Sequence, residues 1–403
     1  MSATAQPISL TTVSVERARP HRIGRKVLRA MGFLSFYDRF ATVPMILLIA
    51  QHEGVGFTAA AALVTIYALC YAVAQPVWGF LSDRIGRGRV VRVALLGVLV
   101  CSCATVASPT FPLLIVSRAL CGLFVGALFP TVLTLIGDRY EGTERLREVS
   151  ALQMFTALGT TLATLAAGAL GSWTDWRVPF GFTAAGAVVM LLLTWRTPEP
   201  AMSGGAGIRI RSAFGRWPVL LYAIGVVEGG LLLGIFTFVA PALQRAGVSA
   251  AGAGALAATY GLGVIAGSRL MRRLSARIAV ARLIAIGGGL LTTAFVIAAA
   301  GSSSAIALTT AAIVIGLSYS FLHGSLQTWA TSAAPAARAT AVSFFVGAVF
   351  LGSSVATAIA SPFVSRGVID AVFLTSAALT VALTIGAVLL HTMWEQHTFP
   401  ESP

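Results

Sequence analysis

Apolar residues run through this chain in long stretches, interrupted by short polar gaps. A helix needs about 20 apolar residues, range about 17–25 or longer when tilted, to cross a hydrocarbon core. Stretches of that kind fall at 30–51, 57–80, 90–107, 110–137, 148–170, 179–195, 217–242, 249–268, 280–300, 303–330, 339–362 and 371–391. The pattern predicts an all-α membrane protein with 12 transmembrane helices. Pro44, Pro76, Pro130 and Pro241 lie inside these stretches, which membrane helices tolerate where neighbours satisfy the freed carbonyls. The only long gap is 196–216, with Pro198, Pro200, Gly204, Gly205 and four arginines. It divides the chain into two six-helix bundles, 29–195 and 217–392, flanked by tails 1–28 and 393–403. The first tail is polar and Arg-rich, without a small-residue cleavage site behind an apolar run, so it is expected to be a disordered cytoplasmic tail and the first helix to be retained.

Composition agrees with this pattern. Hydrophobic residues make up 57% of the chain and charged residues 10%, against about 25% charged in an ordinary soluble domain. The net charge of +14 does not point to nucleic acid, because the basic residues form small clusters between apolar stretches rather than one stripe. With both termini inside, the tail, the inner loops with the span ends beside them, and the linker hold 23 of the 28 Lys and Arg. Outer loops hold Arg177, Arg245 and Arg366, while Arg39 and Arg118 lie within spans. This imbalance places both termini in the cytoplasm, with the chain in the inner (plasma) membrane. The cysteines (Cys70, Cys101, Cys103, Cys121) sit in apolar stretches without zinc-ligand spacing, so no metal and no cofactor is expected.

The two halves repeat. Shifted by 189, Tyr71 falls on Tyr260 and Leu81-Ser-Asp83-Arg84 on Leu270-Met-Arg272-Arg273. Shifted by 193, Leu158-Gly-Thr-Thr-Leu-Ala-Thr falls on Leu351-Gly-Ser-Ser-Val-Ala-Thr; shifted by 190, Asp38 falls on Glu228. Such order predicts two bundles related by pseudo-twofold symmetry along the membrane normal.

Between Phe80 and Val90 the chain reads Gly79-Phe-Leu81-Ser-Asp83-Arg84-Ile-Gly86-Arg87-Gly-Arg89. The reading is a short loop pinned at a membrane surface, where Asp83 can cap a helix and Arg84 and Arg87 can pair with it or with lipid phosphates. This Gly-x-Leu-x-Asp-Arg-x-Gly-Arg spacing resembles the loop between the second and third spans of major facilitator superfamily (MFS) transporters. Leu114-x-x-x-Arg118-x-x-Cys121-Gly122-x-x-x-Gly126 is similar to the fourth-span motif of the proton-coupled drug and metabolite exporters in that superfamily, with Cys121 where Gln is usual. Further echoes are Asp175-Trp176-Arg177-x-Pro179-Phe180 and Pro335-x-x-Arg338-x-Thr340-Ala341. The resemblance departs in the fifth span. Antiporters carry Gly-x-x-x-Gly-Pro-x-x-Gly-Gly there, whereas Gly159-Thr-Thr-Leu-Ala163-Thr164-Leu-Ala-Ala167-Gly168 keeps small residues without the proline. Close packing is therefore expected in that span, and a kink is not.

The resemblance implies a conformational latch formed by Gly79, Asp83, Arg84, Gly86 and Arg87; a topology anchor is the plainer alternative. Arg118 is expensive inside hydrocarbon unless paired, which makes it a functional candidate. The resemblance implies that it helps move protons; a fixed structural ion pair is the alternative. Asp38 and Glu228 are the carboxylates in the interior of spans. Apolar surroundings favour a neutral carboxyl and a facing guanidinium favours the charged form, so approach and withdrawal of Arg118 can unload and load a proton on Asp38. Both lie near mid-depth at about 1.5 Å per residue. Arg39 competes for Asp38 or snorkels inward. Glu228 is read as a second proton site, a contact for a cationic substrate, or a satisfied structural carboxylate. His323 is either a hydrogen-bonded interior residue or a substrate or proton contact. Tyr37, Phe129, Phe236, His323, Gln327 and Trp329 form the candidate substrate cavity, because spans 1, 4, 7 and 10 line it in the family.

The function implied is secondary transport in a lipid bilayer: proton-coupled efflux of a small organic molecule by rocker-switch alternating access, with import or facilitation of a metabolite as the alternative. A monomer is expected, with small-molecule substrate and protons as partners. No GxxxxGK[ST] loop and no clustered Asp/His constellation is present, so neither a nucleotide-driven pump nor a membrane enzyme is expected.

Overall fold

A computed structural model of the chain describes residues 23–140, 142–195, 197, 210–275 and 277–398. It contains 12 helices long and apolar enough to cross a membrane. The first six are α1 (Arg25–Glu53), α2 (Phe57–Ile85), α3 (Arg87–Val106), α4 (Phe111–Arg139), α5 (Gly142–Trp173) and α6 (Val178–Trp195). The second six are α7 (Arg216–Arg245), α8 (Ala250–Leu274), α9 (Val280–Ala300), α10 (Ala305–Ala333), α11 (Arg338–Ser365) and α12 (Ile369–Thr398). Large apolar side chains such as Val73, Val77, Leu192, Ile359 and Leu389 are exposed, as a hydrocarbon-facing surface requires.

Helices outrun the apolar stretches at several ends, because backbone hydrogen bonding continues where side chains turn polar. α1 begins at Arg25, within the expected first tail, and α12 continues to Thr398, well into the expected second tail. The remaining tail residues, 1–22 and 399–403, lie outside the described residues. Of the linker, 196 and 198–209 lie outside them too, and Ile210–Phe214 forms one 3-10 turn before α7. The expected loop at 79–89 is corrected: α2 stays helical through Ile85, and Gly86 alone separates it from α3. Gly86 has φ of 90°, a conformation that disfavours any residue with a side chain.

The halves are built alike. The first helix of each breaks just past a carboxylate. α1 tightens into a 3-10 turn at Val43–Met45, around Pro44 and beyond Asp38. α7 passes through a π turn at Gly230–Gly234 and a 3-10 turn at Ile235–Phe238, beyond Glu228. Close helix contacts also repeat. A methyl on Gly159 of α5 would overlap the carbonyl oxygen of Phe33 in α1, and one on Gly352 of α11 would overlap that of Val226 in α7. These glycines are the pair matched at the 193-residue offset. Without Cβ atoms the backbones close up, the small-residue packing of membrane helices. α5 runs unbroken from Gly142 to Trp173.

The halves meet along α2–α11 and α5–α8. Tyr71 stacks on Phe350 with centroids 3.8 Å apart and planes at 7°, and the Ser354 hydroxyl donates to the carbonyl of Thr65 at 2.9 Å. At the end remote from the linker, Gln244 Nε2 donates to the carbonyl of Pro44 at 3.0 Å. There too, the Phe57 and Phe238 rings lie 6.3 Å apart.

Candidate functional site

The mid-depth layer holds two buried acid–base pairs, one in each half. Asp38, on the last straight turns of α1, is fully buried, and Arg118 of α4 is 1% exposed. Arg118 Nη1 donates to Asp38 Oδ1 at 2.9 Å and Nη2 to the Asp38 carbonyl at 3.1 Å. Cys121, one turn further along α4, donates from Sγ to Asp38 Oδ2 at 3.4 Å. Both carboxylate oxygens are thus engaged from one face of α4. The Arg118 guanidinium is sandwiched between the rings of Tyr67 and Phe180, at 4.6 and 4.7 Å from their centroids. Gly122 lets α4 come close enough for this, since a methyl there would overlap the Tyr67 carbonyl of α2.

The second pair joins Glu228 of α7 to His323 of α10, with Nδ1 and Oε1 2.9 Å apart. Glu228 is fully buried and its Oε2 has no partner among the described residues. The imidazole is stacked between Tyr319 and Phe345, at 4.7 and 5.9 Å. Sequence reasoning singled out both residues but did not join them. They are 95 positions apart, and no linear signal gives the direction each faces around its helix.

Arg39 neither bonds to Asp38 nor snorkels to an interface. It is 8% exposed and lies over the Phe350 ring of the other half, 3.8 Å from the centroid.

The other candidate residues are dispersed. Phe129 meets Phe36 edge-on at 5.5 Å, within the first half. Phe236 packs on Tyr260 at 4.6 Å, and Gln327 is half-buried. Two expected cavity contacts are placed elsewhere. Tyr37 lines an apolar groove with Phe33, Leu162, Ala166, Phe182 and Met190, between α1, α5 and α6. Trp329 is buried against His391 and Trp394 of α12, with centroids at 5.0 and 5.9 Å. At the α2–α3 junction, Gly79 faces Ser343 of α11, 3.9 Å from its would-be Cβ. Arg84 covers the Phe80 ring at 4.1 Å, and Arg87 forms an ion pair with Asp138 at the end of α4. Asp83 lies on α2, but its side chain is outside the described part. Among the described residues no group of His, Cys, Asp or Glu is arranged to hold a metal ion.

Fold and site together define a polytopic membrane protein of two six-helix bundles with ionisable pairs buried in its middle. The family model of the Major Facilitator Superfamily matches residues 30–357, and the chain belongs to that superfamily. It is 26% identical over 214 residues to protein spinster homolog 3 of Danio rerio, a match covering 51% of this chain and 43% of that protein. It is 25% identical over 202 residues to the bacillibactin exporter of Bacillus subtilis (strain 168), covering 45% and 50%. The puromycin resistance protein pur8 of Streptomyces alboniger matches at 29% over 196 residues, covering 45% and 39%. The chain thus spans half or less of the length of these curated relatives. Among solved structures, a bacterial homolog of the human lysosomal transporter Spinster, in an inward-facing and unoccupied conformation, superposes with a TM-score of 0.73. That match covers 91% of this chain and 96% of the other at 18% identity, a likeness of fold.

Proposed function

We propose that this chain is a secondary transporter of the plasma membrane, with both termini in the cytoplasm, that exports a small organic solute in exchange for protons. The observation that carries this reading is the buried Asp38–Arg118 pair. Removing one partner from a buried pair leaves an uncompensated charge, at about 3–5 kcal/mol. Arg118 therefore cannot withdraw unless Asp38 takes up a proton, and a protonated Asp38 no longer holds Arg118. Cys121 steadies the charged carboxylate through its second oxygen. Proton occupancy and the relative positions of α1 and α4 thus become one equilibrium, as coupled transport requires.

Glu228 and His323 give the second half its own ionisable pair, read here as a second protonation step. Each bundle is tied internally by glycine-mediated contacts, while its partner is met along α2–α11 and α5–α8, an arrangement suited to rocking of two rigid bodies. The α2–α3 junction serves as the latch: Gly79 allows close approach to α11, Gly86 makes the one-residue turn, and Arg84, Arg87 and Asp83 supply its charges. Efflux is favoured because relatives include a bacillibactin exporter and a puromycin resistance protein. The working unit is a monomer.

Asp38→Asn tests the proposal. The amide fills the same space but cannot carry a proton, so pH-driven solute flux in proteoliposomes is expected to fall at least tenfold while solute-for-solute exchange persists. A variant whose flux still follows the pH gradient excludes Asp38 as the carrier.

A further inference from the structure

The proposed function uses Asp38, Arg118, Glu228 and His323 and leaves Arg39 without a role. Arg39 is 8% exposed, and among the described residues it makes no hydrogen bond and no ion pair. Its guanidinium sits on the rings of Phe350, at 3.8 Å, and Phe40, at 4.9 Å. The phenols of Tyr71 and Tyr67 of α2, Tyr319 of α10 and Tyr260 of α8 lie around it. Neither neighbouring carboxylate forms an ion pair with it among the described residues. Asp38 is occupied by Arg118 and Cys121, and Glu228 is bonded to His323.

A buried cation held against aromatic rings without a carboxylate partner is half of an ion pair. Cation–π contacts offset part of its desolvation, but they leave the in-plane N–H donors of the guanidinium unused, and these donors match a carboxylate or phosphate. Phe350, Tyr319 and Tyr260 belong to the second bundle and Arg39 to the first, so the charge sits on the boundary that rocking would open and close. Tyr71 stacked on Phe350 and Phe236 packed on Tyr260 add flat apolar surface beside it.

We infer that Arg39 is the counter-charge for an organic anion, a carboxylate or phosphate monoester with an apolar or aromatic body, bound between the two bundles. The inference rests on the proposed function only in taking that anion to be the transported solute.

Full-length protein in uncharged detergent is titrated with 1-naphthoate, 1-naphthyl phosphate, 1-naphthylmethanol and 1-naphthylmethylammonium, with no pH gradient imposed. The two anions are expected to bind saturably and at least tenfold more tightly than the alcohol or the ammonium. Arg39→Gln is expected to remove that preference and Arg39→Lys to keep part of it. Equal binding of all four probes by the unaltered protein, or an unchanged anion preference in Arg39→Gln, overturns the inference. The charge series on the unaltered protein decides the matter even if Arg39→Gln fails to fold. Repeating it in phosphatidylcholine nanodiscs with and without phosphatidylglycerol separates the sources of the anion. Naphthoate binding that persists assigns the site to soluble anions, and competition by the lipid assigns it to an anionic headgroup. Anion binding that Arg39→Gln removes, in an unaltered protein showing no pH-driven flux, sustains this inference while the transport proposal fails.

Discussion

Cys121 shows how one atom can shape the mid-depth chemistry. It replaces the usual glutamine of the fourth-span motif, yet its thiol still reaches Asp38 Oδ2 at 3.4 Å. A hydrogen bond to a charged partner contributes about 1.5 kcal/mol or more, and a weak thiol donor less. Cys121→Ala is therefore expected to reduce pH-driven flux roughly fivefold, the equivalent of about 1 kcal/mol, and Cys121→Ser to hold it near the starting rate. Equal rates for the alanine and serine variants in the same liposome assay would show that the thiol only fills space. At this scale the sequence carried much of the site. Asp38 and Arg118 stand out as charges in apolar stretches, and helical rise puts them at one depth. It did not carry the Glu228–His323 bond or the direction of Trp329, because depth follows from residue counting while orientation depends on how neighbouring helices pack.

Among elements, the repeated glycine contacts set the geometry on which the site depends. Gly352 has the carbonyl of Val226 where a side chain would begin, so α7 and α11 cannot be this close with any larger residue. Gly352→Leu is expected to destabilise the protein by at least about 1–3 kcal/mol, the overpacking range, read as a lowered midpoint of thermal aggregation in detergent. Gly386→Leu serves as the control, since nothing lies within 4 Å of its would-be Cβ. Comparable loss in both variants would mean that general helix propensity, not the α7–α11 contact, is at work. The 12 spans were legible because hydrocarbon demands long apolar runs. The breaks in α1 and α7 were not, since Pro44 and the glycines around 230 are also compatible with continuous membrane helices. The extent of α2 past Phe80 was hidden for another reason: hydropathy falls at the polar boundary, but the helical hydrogen bonds continue to Gly86.

For the whole molecule, the two bundles share pseudo-symmetric construction and touch through aromatic and small residues rather than salt bridges among the described residues. The end remote from the linker is closed by Phe57 against Phe238 and by Gln244 on Pro44. Phe57→Cys combined with Phe238→Cys, joined by a short bifunctional thiol reagent, is expected to stop solute flux, with each single variant treated alike staying active. Full transport by the cross-linked pair would show that this end need not open. The exchange of protons for solute is tested most directly in liposomes containing a trapped pH indicator, to which candidate anionic, neutral and cationic solutes are added across an imposed pH gradient. The account predicts that one class of solute dissipates the gradient in step with its own movement, and that Asp38→Asn abolishes the proton signal. Solute movement at one rate with and without the gradient, or a proton signal in Asp38→Asn equal to that of the unaltered protein, would contradict it.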